Sequence, residues 1–144
     1  MKKVTNILLA AVASMMVLGT AVAADMGAAH KLVIQVSSAD AKTQAIALNN
    51  AVNVQKHYGP GEVEVEIVAY GPGLSLLTKK SKQAKRVASL AKSDITFSAC
   101  GNTMKKIAKK SGKEPKLIDG VKVVTAGVTR IMELQEKGYS YIRP

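Results

Sequence analysis

Short β-rich apolar runs alternate with amphipathic helical stretches along residues 31–142, and this alternation confines the chain to one class of fold. The first run, Lys31–Val36, is too short for a helix and continuous enough to be buried on both faces. Ser37-Ser38-Ala39-Asp40 then supplies N-cap chemistry, and Ala41, Ala45, Leu48 and Val52 keep helical spacing to about His57. Tyr58-Gly59-Pro60-Gly61 stops that helix. Glu62–Ala69 alternates, with Glu62, Glu64 and Glu66 on one side and Val63, Val65 and Ile67 on the other, which predicts a strand with one wet face at a sheet margin. Gly71-Pro72-Gly73 turns the chain, and Leu74–Leu77 forms a helical turn. A helix over about Lys82–Lys92 follows, with Val87, Ala88 and Ala91 inward and Lys82, Lys85 and Arg86 outward.

The second half repeats the pattern. Ile95–Ala99 is a buried strand, and Cys100-Gly101-Asn102-Thr103 opens a helix whose stripe is Met104, Ile107 and Ala108. Val121–Thr125 is a strand, Gly127–Lys137 a helix with Val128, Ile131 and Leu134 or Gln135 on one side, and Tyr139–Ile142 a last strand. Five strands alternating with four helices predict an α/β protein: a flavodoxin-like three-layer sandwich around a five-stranded, mainly parallel sheet with right-handed crossovers. Taking Glu62–Ala69 and Tyr139–Ile142 as edges gives the strand order 2-1-3-4-5. Ligands in such sheets bind beyond the carboxyl ends of the strands, where the winding reverses. In that order the crevice falls between Ser37 and Ser38 after strand 1 and Cys100 and Gly101 after strand 3.

Cys100 is the only cysteine. At a strand-to-helix junction it faces N–H groups that lack intrahelical partners, and the helix dipole there favours negative charge. The thiolate is the reactive form of cysteine, and such surroundings lower a thiol's pKa. Gly101 lets a substrate approach the backbone, and Asn102 or Thr103 caps the helix or donates a hydrogen bond. Gly71 and Gly73 form a turn that is also a candidate anion cradle. The candidate site is thus Cys100 as reactive group, with Ser37, Ser38, Gly71, Gly73, Gly101, Asn102 and Thr103 around substrate or anion. On this reading the Cys100 thiol is open to solvent at the rim of the sheet; the competing reading is a small buried hydrophobe. No CxxC, GxGxxG or GxxxxGK[ST] occurs, and His30 and His57 stand at the end of the sheet away from the crevice. Neither a metal nor a cofactor is expected.

Residues 1–23 carry a basic start (Lys2, Lys3), an apolar run from Ile7 to Leu18 and a small-x-small ending at Ala21-Val22-Ala23. This is the pattern of a cleavable export signal, with a single domain over 24–144 and the periplasm as destination. No stable membrane insertion is expected after cleavage. Removal of Lys2 and Lys3 takes the formal net charge from +11 to +9. With no Trp and one Phe there is little to stack bases on, so nucleic acid is not the expected partner. Small anions, anionic head groups or an acidic protein suit the charge better.

The segments Lys-Leu-Val-Ile-Gln-Val-Ser-Ser (31–38), Val-Ala-Tyr-Gly-Pro-Gly-Leu (68–74), Phe-Ser-Ala-Cys-Gly-Asn-Thr-Met (97–104) and the stretch from Gly127 to Pro144 resemble the DsrE/DsrF-like family, in its branch of small sulfur-relay homologues. The resemblance implies a flavodoxin-like fold, assembly into trimers or hexamers, and a cysteine after a central strand that carries sulfur as a persulfide. Cys100 stands at the matching place. The expected function is therefore an exported sulfur-handling protein whose Cys100 thiolate accepts sulfane sulfur and passes it on. Its partners would be a small sulfur anion, or a donor or acceptor protein. The alternative is a non-catalytic module of the same fold that binds a small anion or serves assembly.

Overall fold

Each apolar run becomes a strand, and the strands lie side by side, all parallel. The computed structural model describes residues 28–144. The order of elements is β1 (His30–Val36), α1 (Ala41–Tyr58), β2 (Val63–Ala69), a 3₁₀ segment (Gly71–Leu77), α2 (Ala84–Leu90), β3 (Ile95–Cys100), α3 (Gly101–Ser111), β4 (Lys122–Val124), α4 (Gly127–Glu136) and β5 (Ser140–Ile142). The α/β sandwich with a five-stranded parallel sheet is as expected. The export signal expected at 1–23 lies outside the described residues.

Strand order is where the structure departs from expectation: it is β4-β3-β2-β1-β5, not 2-1-3-4-5. β2 is the middle strand, paired with β1 from His30↔Val63 to Val36↔Ala69 and with β3 from Val65↔Ile95 to Ala69↔Ala99. The physical reason is the fate of its glutamates. Their alternation does mark a polar face, but that face is covered rather than wet. Glu66 is only 4 % exposed and is gripped by Arg130 of α4, while Glu64 accepts a hydrogen bond from the Tyr139 hydroxyl.

The winding follows from this order. Stepping from β1 to β4 sends α1, α2 and α3 to one face, where Leu48, Val87 and Met104 pack with Ile34, Ile67 and Phe97 in the main core. The connection from β4 back to β5 runs the other way and lays α4 on the opposite face, where Ile131 and Leu134 cover Val33 and Val68. A single crossover hand gives this arrangement. The inner stripe of α4 is Gly127, Ile131 and Leu134; Val128, expected on it, is 55 % exposed. Helix α1 begins as expected, with the Asp40 carboxylate accepting from the Thr43 N–H at 2.7 Å, a bond that holds its pKa below the ordinary value. Tight loops set the rest. Gly73 packs so closely on the end of β1 that a Cβ there would lie 2.1 Å from the Val36 carbonyl oxygen.

Candidate functional site

Strands β3 and β4 are neighbours whose following helices leave on opposite faces. The crevice reserved for ligands therefore lies between the carboxyl ends of β3 and β4, not between those of β1 and β3. Cys100 ends β3 and is paired with Val124 of β4. Ile95, Phe97 and Ala99 point into the main core, so alternation turns Ser98 and Cys100 towards α4. The thiol thus stands at the start of α3 and beneath the start of α4. Two helix N-termini, each with unpaired N–H groups, converge on it.

The sulfur is not open to solvent. Cys100 is 5 % exposed, a correction to its expected placement at an open rim. What surrounds it is nevertheless suited to an anion. Burial is the largest single influence and pushes the thiol pKa up. The Thr103 hydroxyl and the N–H groups of Thr103, Gly127 and Asn102 together outweigh it, so the pKa is held below the ordinary thiol value. Cys100 is the N-cap residue of α3 and makes no side-chain cap hydrogen bond. The Asn102 N–H has another acceptor as well, the Thr125 carbonyl at 3.1 Å. The Thr103 oxygen accepts from the Gly71 N–H at 2.9 Å, which leaves the hydroxyl proton free to donate elsewhere.

Of the expected site residues, Cys100, Gly101, Asn102 and Thr103 come together at this junction, and Gly71 joins them through Thr103. Gly101 serves close packing: a Cβ there would meet the Val124 carbonyl oxygen at 3.1 Å. Gly73 lies against the end of β1. Ser37 and Ser38 also follow β1, with β2 between them and β3. There the Ser37 hydroxyl accepts from Gln35 at 3.4 Å and the Ser38 hydroxyl from the Asp40 N–H at 3.1 Å.

Several residues that sequence reasoning passed over complete the site. Gly127, the first residue of α4, contributes through its N–H to the lowered thiol pKa, and a Cβ on it would lie 3.0 Å from the Tyr70 side chain. A cleft of about 320 Å³ is walled by Val124, the strand partner of Cys100, with Thr125 and Ala126 of the β4 end and Thr129, Arg130 and Glu133 of α4. Arg130 reaches under α4 to Glu66, with Nε and Nη2 2.8 and 2.7 Å from the two carboxylate oxygens, and the Ser98 hydroxyl donates to Oε1 at 2.6 Å. Hydrogen bonding to Glu66 keeps the guanidinium pKa above its ordinary value. A signal for this existed in the sequence. An arginine in the first turn of a helix sits at the dipole's unfavourable end and needs an anionic partner.

Among the described residues no group of three or more His, Cys, Asp or Glu side chains is placed to hold a metal, and no helix is long and apolar enough to cross a membrane. The arrangement can stabilise a sulfur anion and hold a small ligand next to it.

Comparison with known proteins bears on the whole of this fold. No curated protein matches the chain. A solved structure similar to it is that of a protein of unknown function from Methanobacterium thermoautotrophicum. The two are 30 % identical with a TM-score of 0.71, over 80 % of this chain and 99 % of that one. The model of the DsrE/DsrF-like family matches residues 30–144, every strand and helix described above. The chain belongs to the DsrE/DsrF-like family.

Proposed function

We propose that this protein is a sulfur carrier in which the Cys100 thiolate takes up sulfane sulfur as a persulfide and hands it to an acceptor thiol. Family membership suggests a function related to sulfur relay. The observation that carries the finer reading is the place of Cys100, at the end of β3 where α3 begins and beneath the start of α4, with its pKa held below the ordinary thiol value. The thiol first loses its proton to solvent. The thiolate then attacks the outer sulfur of a polysulfide or thiosulfate, forming the Cys100 S–S bond as the donor's S–S bond breaks. A polysulfide shortened by one sulfur, or sulfite, leaves with its electron pair. No external oxidant is required, because the transferred sulfur arrives at the oxidation level it keeps. The persulfide is itself an anion and stays within reach of the same donors. With one cysteine in the chain, release requires a thiol from a small molecule or a partner protein. The compartment on this reading is the periplasm, from the leader-like residues 1–23.

The test is direct. The protein is incubated with polysulfide or thiosulfate and weighed intact. The expected result is a gain of one or two sulfur atoms that cyanide removes and that Cys100→Ser lacks. An equal gain in Cys100→Ser, or none in the wild type, overturns the proposal.

A second reading, a non-catalytic anion-binding or assembly module, is favoured by the 5 % exposure of Cys100. Thiol titration separates the two. A thiol that reacts only after unfolding favours the module.

A further inference from the structure

Glu66 is a carboxylate almost wholly withdrawn from water, in the middle strand of the sheet. Such a group is costly unless every lone pair is used. Here Arg130 makes a two-pronged contact and Ser98 adds a third hydrogen bond. Arg130 also lies within 3.5 Å of Glu133 one turn along. Stability alone does not call for this pair, since apolar residues of similar volume commonly replace a buried ion pair without loss. The arginine moreover occupies the first turn of α4, where the dipole opposes a cation.

Its geometry has a different consequence. The network joins three points: β2 through Glu66, β3 through Ser98 two residues before Cys100, and the first turn of α4 three residues after Gly127. The apolar seat of α4, Ile131 and Leu134 on Val33 and Val68, lies further along the helix. The turn that faces the sulfur is held by the fork below and by Tyr70 against Gly127. We infer that Glu66 and Arg130, braced by Ser98, are positioning residues that hold the first turn of α4 over Cys100, so that the reactivity of this thiol depends on an ion pair that never touches it. The inference rests on Cys100 being the reactive group. The charges of the network pair within it, so its influence on the sulfur is through placement rather than through net field.

The experiment follows alkylation of Cys100 by iodoacetamide across pH in the full chain, which requires no sulfur donor. Wild type is compared with Arg130→Lys, Arg130→Gln, Ser98→Ala and the double variant Glu66→Leu/Arg130→Met, with Glu136→Gln, exposed at the far end of the same helix, as control. Circular dichroism verifies the fold of each. Arg130→Lys keeps the charge but loses the planar fork. It and Arg130→Gln are expected to raise the titration midpoint by on the order of half to one pH unit and to slow alkylation at neutral pH about three- to ten-fold. Ser98→Ala is expected to move it less, and Glu136→Gln not at all. If Arg130→Gln does not fold, the double variant decides, because it keeps an apolar filling without the fork. A folded double variant with the wild-type midpoint overturns the inference, and so does an equal shift in Glu136→Gln. A wild-type midpoint no lower than that of free cysteine overturns the reactive-thiol reading as well. A lowered wild-type midpoint with unmoved variants overturns this inference alone.

Discussion

Thr103 concentrates the residue-scale argument. Its oxygen is engaged by the Gly71 N–H, and its hydroxyl is the leading influence that holds the Cys100 thiol pKa down. Thr103→Val keeps the shape and removes the donor. Losing a hydrogen bond to a charged group is worth about 1.5–3 kcal/mol, which places the expected rise in thiol pKa at roughly one to two pH units. Thr103→Ser restores most of it. Thiolate absorbance against pH in folded protein reads both, and an unmoved Thr103→Val midpoint would remove Thr103 from the site. The sign of the linked stability change is fixed. The folded thiol ionises below the pH at which the unfolded one does, so its contribution is fully present above the unfolded pKa. It fades as pH falls through the folded pKa. At this scale the sequence made Cys100 and Thr103 visible, because a strand-to-helix junction is a local pattern. Gly127, Tyr70, Glu66 and Arg130 were not visible as one site, because only the fold brings residues so far apart in the chain together.

At the scale of elements, each strand and helix was legible to within a few residues, and the order of the strands was not. Period-2 alternation in Glu62–Ala69 reports two unlike faces. It is silent on whether the polar one meets water or a helix carrying arginine. Had Arg130 been matched to Glu66, β2 would have read as an inner strand. The close seat of the 3₁₀ segment gives a prediction at this scale. Gly73→Ala forces a Cβ to 2.1 Å from the Val36 carbonyl oxygen, which backbone must move to relieve. The expected loss is about 1–3 kcal/mol or more of unfolding free energy, the cost of overpacking a tight interior. Urea denaturation measures it, and a loss under about 0.5 kcal/mol would mean that the segment yields freely.

For the molecule as a whole, the two faces of the sheet are unequally dressed. Three helices cover one, and α4 alone covers the other, leaving Val128, Met132 and Tyr141 between 40 and 56 % exposed on that side. We propose that this face carries the trimer or hexamer contacts. Sedimentation of the wild type is expected to give more than one chain per particle. Val128→Asp/Met132→Asp is expected to shift it to the monomer by burying unpaired charge. A monomeric wild type, or an undisturbed assembly in the double variant, would count against this face.

The site's two halves leave the ribosome one after the other. Cys100 and α3 precede α4, and β5 takes its place beside β1, the first strand made. A nascent chain therefore displays its sulfur bare, with no Gly127 to favour the thiolate and no α4 to shield it, until the closing stretch from Gly127 has emerged. A chain released early would carry an ordinary thiol, free to cross-link with neighbours in an oxidising compartment. Selective chemistry would belong only to the finished molecule.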